Sequence, residues 1–153
     1  MVKVVLYQPE IPPNTGNIAR TCAATKTELH LVGNLGFDIS DRAVKRAGLD
    51  YWPYVDLHQH QDWATFVQMQ SQRGGRLLAF SVKGKDSYTS YTFEEEDWLL
   101  FGPESQGLPP EIMENSDAIL KIPMLHPHVR SLNLSVSVAV SLYEAKRQLG
   151  ELS

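Results

Sequence analysis

Two short apolar runs that end in turn residues decide how this sequence folds. The first is LLFGPESQGLPPEIM, residues 99–113, and the second is LKIPM, residues 120–124. A long stretch rich in small residues, RSLNLSVSVAVSLYEAKRQL, follows over residues 130–149. Strand ends that open into Gly, Pro, Ser and Asn are where a parallel α/β sheet places its ligand crevice. The sequence therefore predicts that these turns form one small-molecule site.

Length and cysteine usage indicate one ordinary domain. The 153 residues predict a single domain over residues 1–153 with a sizeable core. The single cysteine, Cys22, suits a reducing compartment, and no Cys/His cluster has metal-ligand spacing. The N-terminal apolar run is too short for a signal peptide, and no segment is long enough to span a bilayer. We therefore expect a cytoplasmic protein with no metal and no membrane partner.

The charge balance bears on nucleic-acid binding. The net charge is −4, from 14 basic and 18 acidic residues, which argues mildly against a nucleic-acid partner. The charges are unevenly distributed, however, because residues 94–97 form one acidic block. Basic residues cluster around Lys45 and Arg46, and again at Lys146 and Arg147. An acidic total can therefore hide a basic face.

Apolar strands alternate with helical segments along the chain. We expect strands at residues 2–7, 29–32, 54–57, 77–82, 99–101 and 119–122. We expect helices at residues 16–25 with Asn14 and Thr15 as caps, at 42–47 and 62–69, from near Pro110, and after Asn133, with a loop at residues 83–92. This alternation predicts an α/β fold with a mostly parallel sheet flanked by helices.

The last predicted helix carries two apolar faces. One face consists of Leu134, Val138, Leu142, Ala145 and Leu149, and the other of Val136, Val140 and Tyr143. A helix that packs on a sheet needs only one such face. The second face predicts a homodimer, since symmetric pairs are the commonest assembly, or else a neighbouring helix of the same chain.

Three segments have free backbone groups that could bind a ligand: residues 14–20, residues 101–108, and residues 122–124 with 131–135. Each follows a strand or opens a helix, where such groups can bind adenine and ribose edges. Arg20 lies in the first turns of a predicted helix, where it could hold a phosphate or pair with Glu10 or Glu104. Glu104 could equally orient a loop, and Ser131 and Asn133 could be helix caps.

Several common sites are excluded by missing motifs. The chain has no GxGxxG after its first strand, no GxxxxGK[ST] and no GxSxG. Their absence disfavours an ordinary Rossmann enzyme, a P-loop nucleotide site and a serine hydrolase elbow.

The three segments together resemble the three motifs of the SPOUT class of RNA methyltransferases. The likeness extends to VVLYQPEIPPNTGNIARTCAAT (residues 4–25), RAGLDYW (46–52) and SLYEAKRQLG (141–150). These stretches are similar to the TrmL-like family of tRNA wobble-nucleotide ribose methyltransferases within that class. The resemblance covers nearly the whole chain, in order.

The resemblance implies a deep trefoil knot near the C-terminus and a homodimer whose second subunit completes the site. It also implies methyl transfer from S-adenosylmethionine to a ribose 2′-hydroxyl, leaving S-adenosylhomocysteine. The acceptor would be the wobble nucleotide 34, a cytidine or modified uridine, of tRNA-Leu. Alternatives are a same-fold enzyme acting on another tRNA position or on rRNA, and a non-catalytic RNA-binding protein.

The resemblance assigns roles to individual residues. Those expected to hold the cofactor are Phe80, Gly102, Ile122, Met124, Ser131 and Leu132. Those expected to shape catalysis are Asn14, Arg20, Glu104, Ser131 and Asn133. Those expected to contact RNA are Arg20, Lys45, Arg46, Arg130, Lys146 and Arg147.

Overall fold

The apolar runs of the sequence form the strands of one parallel sheet. A computed structural model describes residues 1–48 and 50–153, and within them seven strands pair in the order β3-β2-β1-β6-β4-β7-β5. The strands are β1 (Lys3–Tyr7), β2 (Leu29–Val32), β3 (Leu57–His60), β4 (Leu77–Phe80), β5 (Asp86–Ser87), β6 (Trp98–Phe101) and β7 (Ala118–Lys121). All of the pairings are parallel. The predicted α/β class is confirmed.

Helices connect most of the strands, because parallel neighbours need a crossover between them. In the part of the chain that the structure describes they are α1 (Pro12–Ala24), α2 (Arg42–Gly48), α3 (Trp63–Arg73), α4 (Pro110–Glu114) and α5 (Leu134–Gln148). Short 3-10 turns span Trp52–Tyr54 and Tyr88–Ser90.

The core has two halves because successive strand residues face opposite sides of the sheet. On β1, Val4 and Leu6 pack in the half that contains α1 and α5. Val5, between them, packs in the half that contains Phe66 of α3 and Ile112 of α4. The fold is therefore a sheet between two helical layers.

Strand β4 ends at Phe80 rather than at residue 82, and α3 ends at Arg73 rather than at residue 69. Two predicted segments are wrong. The strand expected at residues 54–57 begins only at Leu57, because Trp52–Tyr54 forms a 3-10 turn after the loop. The loop expected at residues 83–92 contains the two-residue strand β5, which pairs with β7. Both errors arise where long-range pairing, rather than local pattern, fixes the backbone.

The predicted start of α1 is also wrong. The helix begins at Pro12, not at residue 16, with Ile11 as its N-cap and no side-chain capping bond from that residue. Proline suits the first helical position because its missing N–H would be unpaired there anyway. Asn14 and Thr15 are therefore buried within the first turns instead of capping the helix.

The two predicted faces of α5 differ in burial. Val138, Leu142 and Ala145 are fully buried in the core. Val136 and Tyr143 of the other face remain 46% and 43% exposed. No helix of the same chain covers that second face within residues 1–48 and 50–153.

The described helices include none that combines the length and the apolar character needed to cross a membrane. The trefoil knot implied by the resemblance stays a prediction, because strand order and pairing do not by themselves define threading.

Leu142 provides a test of the α5 packing. Leu142→Ala should lower the free energy of unfolding by about 2–5 kcal/mol, because it leaves a cavity in a close-packed core. Urea unfolding followed by circular dichroism measures the change. Leu152→Ala is the matched control, since Leu152 is 49% exposed. Equal losses in both variants would contradict the packing described for α5.

Candidate functional site

A crevice opens where three neighbouring strands end. Strands β6, β4 and β7 lie side by side, so their carboxyl ends meet at one edge of the sheet. The crevice has a volume of about 540 Å³. The rings of Phe80 and Phe101 stack in its wall with centroids 4.8 Å apart. This size and this apolar lining suit a cofactor-sized molecule.

The crevice brings together residues that are distant in sequence. All six residues expected to hold the cofactor line it: Phe80, Gly102, Ile122, Met124, Ser131 and Leu132. Asn14, Glu104, Asn133 and Arg130 line it as well. The turns after β6 and β7 therefore line one crevice, and its use as a small-molecule site stays a prediction.

Gly102 allows two backbone segments of the crevice to touch. A Cβ atom at this position would lie 2.4 Å from the carbonyl carbon of Gly107 and 2.4 Å from the nitrogen of Leu108. Those distances are far shorter than van der Waals contact. Residues 102–108 can therefore form their tight loop only with glycine at this position.

Glu104 ties this loop to the start of α1. Its carboxylate accepts hydrogen bonds from the backbone N–H groups of Glu10 and Ile11 at 2.9 and 2.8 Å. It also accepts a bond from Nδ2 of Asn14 at 3.2 Å. These groups stand at a helix N-terminus, where unpaired N–H groups favour negative charge. These hydrogen bonds thus agree with the loop-orienting role considered for Glu104.

Asn14 extends this contact to the start of α5. Its Oδ1 accepts a hydrogen bond from Nδ2 of Asn133 at 3.1 Å. Asn133 in turn caps α5, because its Oδ1 accepts from the N–H of Ser135 at 2.8 Å. The expected capping role of Asn133 is confirmed, and that cap belongs to Asn133 rather than Ser131. The side-chain amides of Asn14 and Asn133, together with the Glu104 carboxylate, therefore join all three segments identified from the sequence by hydrogen bonds.

A second carboxylate closes the loop from the other side. Glu10 accepts bonds from the N–H and hydroxyl groups of Ser105 at 2.9 and 2.7 Å. These bonds lower the pKa of Glu10 below its ordinary value, with the backbone N–H as the largest cause. Glu10 and Glu104 thus each bind the other's loop.

Arg20 lies outside the residues that line the crevice. It is in the middle of α1, not in its first turns, because the helix begins earlier than predicted. Its guanidinium lies 4.6 Å from the ring centre of Tyr51, and Nη2 is 3.4 Å from the Tyr51 hydroxyl. Across residues 1–48 and 50–153, neither Glu10 nor Glu104 pairs with it, so that interpretation is wrong.

The residues expected to contact RNA differ in their availability. Lys45 and Arg46 are exposed on α2, and Arg130 is exposed at the crevice. Arg147 is exposed and pairs with Glu144 at 3.0 Å.

The expectation for Lys146 is corrected. This residue is 1% exposed, and its Nζ pairs with Glu151 at 3.1 Å. A buried and paired ammonium cannot reach a phosphate on the surface.

Two residues near the site were not among the predicted site residues. Lys83 lines the crevice, although it falls in the segment expected to be a plain loop. Tyr51 contacts Arg20 although it is 31 residues away. From the sequence, Lys83 could have been identified only by its position shortly after β4, at the end of the sheet where ligands bind.

Comparison with known proteins gives consistent matches over the full chain. A tRNA (cytidine(34)-2'-O)-methyltransferase from Saccharophagus degradans is 48% identical over 98% of this chain and 97% of its own. A solved structure from work on the 2-OH methylation of C/U34 on tRNA is 55% identical, with a TM-score of 0.94, and the match covers 98% of this chain and 97% of that one.

A more distant structure shows the same fold with a ligand. It is an AdoMet-bound rRNA methyltransferase from Sinorhizobium meliloti, 27% identical with a TM-score of 0.88, and the match covers 97% of this chain and 56% of that one. The model of the SpoU rRNA Methylase family matches residues 1–143. The fold, the full-length relatives and this match together place the chain in the SpoU rRNA Methylase family of SPOUT methyltransferases.

Proposed function

We propose that this protein transfers a methyl group from S-adenosylmethionine to the ribose 2′-hydroxyl of nucleotide 34 of tRNA. The nucleotide is a cytidine or modified uridine, and tRNA-Leu is the proposed substrate. The observation that supports the proposal most strongly is that the three sequence segments meet in one crevice, about 540 Å³ in volume. Relatives that are about half identical to this chain over nearly its whole length are described as methylating the 2′-hydroxyl of nucleotide 34 of tRNA.

The crevice fits S-adenosylmethionine. Its walls combine apolar side chains such as Phe80 and Leu132 with Gly102 and Ile122, which follow β6 and β7. Such backbone groups can bind the adenine and ribose edges without a charged side chain. When bound, the cofactor supplies an electrophilic methyl group on a sulfonium. The protein then has to orient the acceptor and exclude water.

Arg20 is proposed to act on the acceptor side. A guanidinium stays protonated in proteins, so it cannot serve as a simple base. It can hold a phosphate beside the target ribose and stabilise negative charge as it develops on the 2′-oxygen. Stacking on Tyr51 would orient the side chain, because a cation is attracted to the face of an aromatic ring.

The remaining RNA contacts are proposed for exposed cations near these elements. Arg130 borders the crevice itself, while Lys45 and Arg46 lie on α2, which packs directly against α1. Arg147 is the weakest of these candidates, because Glu144 already pairs with it. Because the proposed substrate is a tRNA, we propose that the protein acts in the cytoplasm.

A homodimer is proposed to complete the site. Val136 and Tyr143 on α5 stay close to half exposed, and Leu132 is 37% exposed beside the crevice. Apolar side chains grouped on one helix face indicate a surface that a partner covers. A symmetric pair would place this face of α5 against its own copy.

Gly102→Ala tests the cofactor site. The added methyl group should force residues 102–108 apart, and the affinity for S-adenosylmethionine should fall at least about tenfold, the equivalent of about 1.4 kcal/mol. Isothermal titration calorimetry measures the affinity. Leu152→Ala, beyond α5, is the control, since Leu152 is exposed and lies outside the residues that line the crevice. Unchanged binding by Gly102→Ala would place the cofactor elsewhere.

Arg20 and the substrate are tested in one assay. Wild-type protein, S-adenosylmethionine and tRNA-Leu should yield one 2′-O-methyl group at nucleotide 34, mapped by mass spectrometry of nuclease fragments. Arg20→Ala should lower the rate about 10²–10³-fold, as for loss of one oxyanion donor. Arg20→Lys should retain part of the activity because it keeps the charge. Methylation at another nucleotide would refute the substrate, and a normal rate in Arg20→Ala would refute the role of Arg20.

The dimer is tested by adding charge to the exposed face of α5. Val136→Asp and Tyr143→Asp should shift sedimentation from a dimer to a monomer of 17.2 kDa, because a buried carboxylate without a partner is costly. Leu152→Asp changes an equally exposed apolar residue beyond α5 and should leave the dimer intact. A monomeric wild type, or dimers that survive both substitutions, would exclude this interface.

A further inference from the structure

A cluster of histidines lies at the edge of the sheet formed by β2 and β3. His30 of β2 and His58 of β3 are direct neighbours in the register of these strands. Glu28 comes immediately before β2 on the same side. The His30 ring is fully buried and packs against Trp98, with ring centres 5.0 Å apart. No residue of the crevice belongs to this cluster, and the proposed function makes no use of it.

The ligand-type atoms of three residues converge at one point. Glu28 Oε1 lies 3.0 Å from His30 Nε2 and 3.6 Å from His58 Nε2. All three atoms lie within 4.8 Å of one another. Metal–nitrogen bonds of about 2.0–2.1 Å in a tetrahedral site separate neighbouring ligand atoms by about 3.3 Å. The distances of 3.0 and 3.6 Å lie on either side of that value.

One nitrogen of the cluster has no hydrogen bond. Nε2 of His58 is buried and makes no hydrogen bond among residues 1–48 and 50–153. Asp56 Oδ1 is only 2.8 Å away but outside hydrogen-bond geometry. A buried polar atom without a partner is costly, and it points to a group that the protein alone does not supply.

The surrounding residues support the orientation that a metal ion needs. His30 Nδ1 lies 2.8 Å from His60 Nε2, which fixes the His30 ring and leaves Nε2 directed at Glu28. Arg73 holds both carboxylate oxygens of Glu28 at 2.8 Å. Metal-binding histidines commonly have such a partner on the second ring nitrogen, and metal-binding carboxylates are themselves hydrogen-bonded.

We propose that Glu28, His30 and His58 bind one divalent transition-metal ion of the zinc type, which fastens the edge strand β3 to β2. Imidazole nitrogens with a carboxylate oxygen suit such an ion better than Mg²⁺ or Ca²⁺, which prefer oxygen alone. His58 is 40% exposed, so water can fill the fourth position. Its ring stacks on that of His30 with ring centres 4.6 Å apart, so binding would require the His58 ring to turn until its lone pair faces the ion.

The alternative role for the same residues is a purely internal ion pair. In that case Glu28 would act only as the ion-pair partner of Arg73, and the histidines would only pack beside Trp98. The two roles differ in one property, which is saturable binding of Zn²⁺ that depends on His58.

Zn²⁺ itself is the probe. Chelator-treated full-length protein should bind one equivalent of Zn²⁺ in isothermal titration calorimetry. His58→Ala and Glu28→Gln should each weaken binding at least about tenfold, in line with the loss expected at metal sites. His128→Ala is the matched control, because His128 is exposed in a loop and lies outside the cluster. It should bind Zn²⁺ as the wild type does.

Two further measurements separate a metal ligand from a structural residue. Saturating Zn²⁺ should raise the midpoint of thermal unfolding by about 5 °C in the wild type and His128→Ala, and by much less in His58→Ala. Bound Co²⁺ should give the visible absorption of a tetrahedral ion only where His58 is present. Absence of Zn²⁺ binding by the wild type, or equal binding by His58→Ala, would overturn the proposal.

Discussion

The carboxylate of Glu104 is the contact on which the crevice depends. Strands β1 and β6 are neighbours, with Leu6 opposite Phe101, so the loops after them leave the sheet side by side. Glu104, in the loop after β6, accepts hydrogen bonds from the N–H groups of Glu10 and Ile11, in the loop after β1, at 2.9 and 2.8 Å. Ile11 caps α1 without a side-chain bond of its own, so Glu104 supplies the negative charge that a helix N-terminus favours.

This contact also fixes where α1 places its polar residues. Asn14, in the first turns of α1, donates to Glu104 and accepts from Asn133 at the start of α5. The start of α1, the loop after β6 and the start of α5 are thereby held in one hydrogen-bonded arrangement. Arg20 is carried on the same rigid helix, so its position relative to the crevice is set by these bonds rather than by a flexible loop.

The crevice and the histidine cluster lie on different strands of the sheet and carry different chemical groups. The carboxyl ends of β4, β6 and β7 form the crevice, whose walls combine apolar rings with a few charged side chains such as Glu104 and Arg130. The histidine cluster of Glu28, His30 and His58 lies instead on the edge pair β2 and β3. Burial lowers the pKa of His30 to about 4, so its imidazole is neutral at physiological pH. The crevice thus suits an organic cofactor, while the edge pair β2 and β3 carries groups suited to a cation.

The sequence by itself determined the α/β class, most strands and the three segments of the crevice. These features follow from local patterns: apolar runs of strand length, turn residues at strand ends, and the periodicity of α5. Only the tertiary structure decided the start of α1, the burial of Lys146, the stacking of Arg20 on Tyr51, and the meeting of His30 with His58. Each depends on contacts between residues far apart in the chain, and residue spacing along one strand or helix carries no information about its neighbour across the sheet.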